Sequence, residues 1–130
     1  MSKTKVHVVC QTHWDREHRS NFQETRLLLV EMMDRLMAMF DNDPDFHTFI
    51  IDGQTVVLED YLAIKPYNRA RIEELVRSGK LQIGPWYTLP DHTSSNPESL
   101  IRNLLLGKQL SLEFGKRMDI GYSIFSFGQI

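Results

Sequence analysis

Apolar and polar positions along this chain switch repeatedly between the short period of a strand and the longer period of a helix. Val6 to Cys10 is a short β-branched apolar run ending in the polar cluster Gln11-Thr12-His13. It predicts a buried strand and then a loop to about Phe22. From Glu24 to Phe40 the apolar residues Leu29, Met32, Met33, Leu36, Met37 and Phe40 recur at helical spacing, with Glu31, Asp34 and Arg35 on the opposite face. That is an amphipathic helix. Its methionines are read as core gap fillers rather than as a soft-metal surface. Asp41-Asn42-Asp43-Pro44 stops the helix. A second strand is centred on Thr48 to Ile51 and closed by Asp52-Gly53, and a short helix is expected over Gln54 to Leu62. Another helix runs from about Asn68 to Ser78, with Gly79 where a left-handed cap belongs. Leu81 to Trp86 reads as a third strand. Asn96-Pro97-Glu98 supplies a cap, a first-position proline and an early carboxylate for a helix ending near Gly115, and Ile120 to Ser123 would be a fourth strand.

Strands alternating with helices imply right-handed crossovers and a mostly parallel sheet. The predicted class is therefore α/β, with about four parallel strands in a single unit over residues 1–130. Closed β/α barrels take on the order of 250 residues, so the sheet is expected to be open or to form part of something larger. Composition agrees: 42% hydrophobic and 25% charged residues, with 7 Gly and 5 Pro, describe a globular chain. A net charge of -2 gives no broad attraction to nucleic acid or anionic lipid. No apolar run approaches the roughly 20 residues of a membrane span, and the N-terminus lacks the apolar core of a signal peptide. The single cysteine, Cys10, excludes an internal disulfide framework and a multi-thiolate zinc site. The expected setting is cytoplasmic, with neither nucleic acid nor membrane as partner.

Ligands in α/β folds collect beyond the carboxyl ends of the strands, so the segments after each strand carry the candidates. After the first comes Thr12-His13-Trp14-Asp15-Arg16-Glu17-His18. In extended backbone, alternate side chains share a face, so His13 and Asp15 point together. A neutral imidazole converging with a carboxylate suits a divalent cation, zinc first, with two further ligands still required. The alternative is a histidine merely oriented by a carboxylate on a solvated loop. His7 is read as a core histidine and His47 as a surface one. After the third strand, Trp86 and Tyr87 precede Asp91 and His92. Aromatic faces beside hydrogen-bonding groups fit a sugar ring, which makes Trp86 and Asp91 candidate substrate contacts; Trp86 and Tyr87 could equally end a core strand. Glycine-rich phosphate loops are absent, which disfavours a nucleotide-binding sheet. A non-catalytic α/β interaction or weak sugar-binding module remains the competing reading.

Taken together, several blocks resemble the N-terminal catalytic region of glycoside hydrolase family 38, the zinc-dependent retaining α-mannosidases, including bacterial mannosylglycerate hydrolases. They are Thr12-His13-Trp14-Asp15-Arg16-Glu17, Asp52-Gly53-Gln54-Thr55-Val56-Val57-Leu58-Glu59-Asp60-Tyr61, Gly84-Pro85-Trp86-Tyr87, Glu98-Ser99-Leu100-Ile101-Arg102-Asn103-Leu104-Leu105, and the Gly121-Tyr122 and Phe127-Gly128-Gln129 frame. The resemblance implies the first half of a seven-stranded β/α barrel. It makes His13 and Asp15 zinc ligands and an α-mannoside or mannosylglycerate-like sugar the substrate. The zinc would bind ring hydroxyls and favour an oxocarbenium-like transition state.

The chain also departs from the family pattern. The family's Gly-Tyr-x-Pro-Asp-x-Phe-Gly block stands here as Gly121-Tyr122-Ser123-Ile124-Phe125-Ser126-Phe127-Gly128, which puts Phe125 where the nucleophilic and zinc-ligating carboxylate belongs. The usual tryptophan three positions after Asp15 is His18. The family's remaining zinc histidine and its acid/base carboxylate would lie beyond Ile130. These departures imply no catalytic residue in the chain, a truncated or fragmentary member inactive by itself, and an open sheet edge that favours self-association.

Overall fold

The structure is a computed structural model and describes residues 3–124. Phe125, the residue at the nucleophile position by resemblance, lies outside them. Three parallel strands form one sheet in the order β1-β2-β3: β1 is Gln11–Thr12, β2 is Phe49–Ile51 and β3 is Leu81–Gln82. Gln11 and Thr12 pair with Ile50 and Ile51, while Phe49 and Ile50 pair with Leu81 and Gln82. The helices are α1 (Phe22–Asn42), α2 (Val56–Leu62), α3 (Arg69–Arg77) and α4 (Pro97–Glu113), and a short 3-10 turn over Pro66–Asn68 precedes α3. The α/β class and the parallel crossovers are as the sequence predicts.

Helix α1 begins two residues before the expected start at Glu24 because Asn21 caps it. The Asn21 side chain accepts from the amides of Gln23 and Glu24, both at 3.1 Å, and Glu24 reaches back to the Asn21 amide. This reciprocal pair satisfies donors that the first turn leaves open. The α1 stripe buries Leu29, Met33, Leu36, Met37 and Phe40 against Ile51, the inner face of α2 and the Ile72, Leu75 and Val76 ridge of α3. Each such side chain removed from water contributes about 1.5–3 kcal/mol before entropy is counted. Met33 and Met37 are core, as expected, whereas Met39 stays exposed. Asn96 caps α4 by accepting from the Ser99 amide, with Pro97 at the first helical position. Gly79 closes α3 at φ 77°.

Two strand expectations fail, for the same reason. Val6, Val8 and Val9 are 77, 82 and 60% exposed, and His7 is exposed with them. Their apolar run precedes the paired residues, and among the described residues nothing covers it. Ile120 to Ser123, expected as a fourth strand, forms no strand among the described residues. Here the chain turns inward instead: the Tyr122 ring lies against Gly53, where an added Cβ would come within 2.3 Å of Cδ1. Gly53 at φ 62° has both the backbone conformation and the bare surface this contact requires. Helix α4 leaves Ile101, Leu104 and Leu105 exposed.

Candidate functional site

All three strands run the same way, so the segments after β1 and β2 meet at one end of the sheet. The β1 segment is held there through the backbone of Trp14. Its N–H donates to Asp52 Oδ2 at 2.7 Å, and its carbonyl accepts from Gln54 Nε2 at 2.7 Å. Pinned in this way, the flanking side chains of His13 and Asp15 emerge together, as alternate residues of an extended segment should. His13 Nε2 stands 3.4 Å from Asp15 Oδ1, with the two side chains 44 and 47% exposed. That separation exceeds an ordinary charge-assisted hydrogen bond of 2.7–2.9 Å. It matches the edge between two ligands on a tetrahedral zinc, about 3.3–3.4 Å when each bond is about 2.0–2.1 Å.

Behind His13 lies Asp52, fully buried and at φ 40°. Its two oxygens sit 3.2 and 3.1 Å from His13 Nδ1. Gln54 Nε2 donates to the same carboxylate at 2.9 Å, and the Tyr122 hydroxyl reaches it at 3.3 Å. Burial and the Asp52 charge push the Tyr122 phenol up to about 12. A second anchor is Arg16, whose Nε and Nη2 donate to the Asp60 carboxylate at 2.7 and 2.9 Å, with the guanidinium also over the Phe22 ring. The paired carboxylate holds the Arg16 guanidinium above its ordinary range. Tyr87 is tied to the same helix, its hydroxyl donating to Glu59 at 2.7 Å.

His13, Trp14, Asp15 and His18 line an open cleft of about 700 Å³. Thr25 and Leu28 of α1 also line it. The donor set therefore fits a borderline divalent cation with one nitrogen and one oxygen ligand. Among the described residues no group of three or more histidine, cysteine or acidic side chains converges on a metal-sized point. This chain's described part brings two donors, not four.

Trp86 and Asp91 are not brought to that cleft. Trp86 is 8% exposed, and its indole N–H donates to the Tyr122 carbonyl at 2.7 Å. His92 packs edge-on at 5.1 Å. Trp86 therefore serves the packing that the sequence left as its alternative role, and little of the ring is open to a sugar. Asp91 is exposed, but its carboxylate accepts from the Thr93 hydroxyl and amide, which lower its pKa. The residues that the pattern reading did not single out are Asp52, Gln54 and Tyr122. Asp52-Gly53 read as a turn closing the second strand, although any polar residue just past a parallel strand falls in the position where sites form.

Comparison with known proteins places the chain in a family. Residues 3–130 match the glycosyl hydrolases family 38 N-terminal domain, and the chain belongs to that family. It is 43% identical over 129 residues to a protein of Halalkalibacterium halodurans named "Putative mannosylglycerate hydrolase". That alignment covers 98% of this chain and 14% of the relative. A crystal structure of an alpha-mannosidase from Enterococcus faecalis superposes with a TM-score of 0.83 at 38% identity, over 87% of this chain and 13% of that one. A family 38 glycosyl hydrolase structure from the same organism gives 0.84 at 36% identity, over 93% and 14%. The chain thus spans about one-seventh of the length of these relatives. Among the described residues no helix is long and apolar enough to cross a membrane.

Proposed function

We propose that this chain provides the first metal-ligand pair, His13 and Asp15, of a zinc-dependent retaining α-mannosidase-type site, and that it does not hydrolyse glycosides by itself. The observation that carries the reading is the 3.4 Å separation of His13 Nε2 and Asp15 Oδ1 at the carboxyl end of a parallel sheet, with a buried carboxylate behind the imidazole. Bound zinc would act as a Lewis acid and template for ring hydroxyls in such a site. His13 would donate its Nε2 lone pair and Asp15 a carboxylate oxygen, while Trp14, clamped through both backbone groups, holds the two in register. The relatives' names make α-mannosides, including small ones of the mannosylglycerate type, the substrate class to test. A retaining mechanism needs two carboxyl groups about 5–5.5 Å apart, one of them a nucleophile. The resemblance puts Phe125 at the nucleophile position, and a benzyl side chain can neither ligate zinc nor attack an anomeric carbon.

Calorimetric zinc titration tests this directly. Saturable binding in the 130-residue chain that disappears in both His13→Ala and Asp15→Ala, with no release of nitrophenol from an aryl α-mannoside, is the expected result. Binding indifferent to both substitutions, or turnover by the chain alone, contradicts it.

A further inference from the structure

The side chains behind His13 carry more than support. A carboxylate is acceptor-only when ionised, and two donors besides His13 already point at Asp52 Oδ2. The Trp14 amide and Gln54 Nε2 donate to Oδ2 at 2.7 and 2.9 Å, while the Tyr122 hydroxyl, 3.3 Å from Oδ1, lies closer to Gln11 Oε1 at 2.8 Å. His13 Nδ1 lies against both oxygens, at 3.2 and 3.1 Å. With no proton on the carboxylate, the ring nitrogen must supply it. A neutral imidazole holds one ring proton, so a proton on Nδ1 leaves the lone pair on Nε2, the nitrogen that stands beside Asp15. The backbone makes the arrangement: Asp52 at φ 40° and Gly53 at φ 62° turn the chain just past β2.

We propose that Asp52 is a positioning residue: held by the Trp14 amide and Gln54, its carboxylate fixes His13 in the tautomer protonated at Nδ1 and so presents the Nε2 lone pair to a cation. The functional half of this rests on the reading of His13 and Asp15 as metal ligands; the tautomer itself rests on the hydrogen bonds alone. Outer partners of this kind orient a ligating histidine and raise its basicity, and losing one typically weakens metal binding about 10–100-fold.

Asp52→Asn separates orientation from charge and shape. The amide oxygen can still accept from the Trp14 amide and Gln54, but its NH2 then faces His13 Nδ1 as a donor, which drives the ring proton to Nε2. Long-range 15N–1H correlation spectra of the metal-free chain read the tautomer, and competition against a chromophoric chelator reads zinc affinity. The expected result is Nδ1–H in the wild type, Nε2–H in Asp52→Asn, and zinc binding about 10–100-fold weaker in the variant. Tyr122→Phe, which keeps the ring on Gly53, should retain the Nδ1–H tautomer. Wild-type His13 protonated at Nε2 overturns the proposal without recourse to any variant, so it stays exposed to refutation even if Asp52→Asn misfolds. Unchanged zinc affinity in a folded Asp52→Asn also overturns it. A wild type that binds no zinc, yet shows the Nδ1–H tautomer inverted by Asp52→Asn, upholds the positioning of His13 and removes the metal reading instead.

Discussion

Arg16 sits one residue beyond the candidate ligand pair and fastens its loop to α2, so breaking this contact tests how the site is held. The guanidinium grips Asp60 at two points, 2.7 and 2.9 Å, with the Asp60 side chain 11% exposed and that of Arg16 38% exposed. Removing one partner of a fully buried pair costs about 3–5 kcal/mol, whereas an exposed pair is worth about 0–1 kcal/mol. The carboxylate is buried and the guanidinium only partly so, which places Arg16→Ala between these limits, at about 1.5–3 kcal/mol. Part of that is the cost of leaving Asp60 unpaired. A double-mutant cycle with Asp60→Ala, read by urea unfolding, isolates the pair and should give a coupling of about 1–2 kcal/mol. Arg16→Lys should recover little of it, because one ammonium cannot reproduce a two-point grip. A coupling below about 0.5 kcal/mol, well inside the range of about 0–1 kcal/mol for surface pairs, would refute the inference that this ion pair anchors the loop.

Gly107→Ala places a methyl group 2.3 Å from the Pro85 carbonyl oxygen and the Trp86 carbonyl carbon. Backbone atoms cannot swing aside, so overpacking of about 1–3 kcal/mol should outweigh the gain in helix propensity, and a thermal melt should show a lowered Tm. The Asp34 carboxyl is held below its ordinary range: burial alone would raise it, but hydrogen bonds from Lys65 and Tyr61 overcome that. Its contribution to stability is therefore present above the ordinary carboxylate range and lost as pH falls through the lowered folded-state value, so urea midpoints of Asp34→Asn should depend less on pH across that acidic interval than those of the parent. The exposed Val6, Val8 and Val9 run should make the chain self-associate with rising concentration. Val8→Lys should shift sedimentation toward the monomer, and a parent chain that stays monomeric at every concentration would contradict this.

Most of the helices were legible because each advertises itself locally. The α1 stripe, the Asn96-Pro97 start of α4 and the Gly79 stop of α3 are all encoded within a few residues. The flanking strands were not, because a strand's existence depends on a neighbour that the local sequence does not reveal. Val6 to Cys10 has the composition of a buried strand and lies exposed, while Gln11 and Thr12, read as the start of a loop, carry the pairing. The site divides in the same way. His13 and Asp15 are two positions apart, and period-two alternation suffices to bring them together. Asp52 lies 39 residues from His13 and Tyr122 lies 70 from Asp52, so only the fold unites them. Trp86 shows the opposite failure: an aromatic just past a strand looked available, but the Tyr122 carbonyl that takes its N–H and the body of the fold that covers it are distant in sequence.

The central claim is that one cation bridges His13 and Asp15. Crystals of the chain grown with zinc, measured on both sides of the zinc absorption edge, address it most directly. The account predicts an anomalous peak about 2.0–2.2 Å from both His13 Nε2 and an Asp15 carboxylate oxygen, and a peak at another histidine with this pair left bare would contradict it.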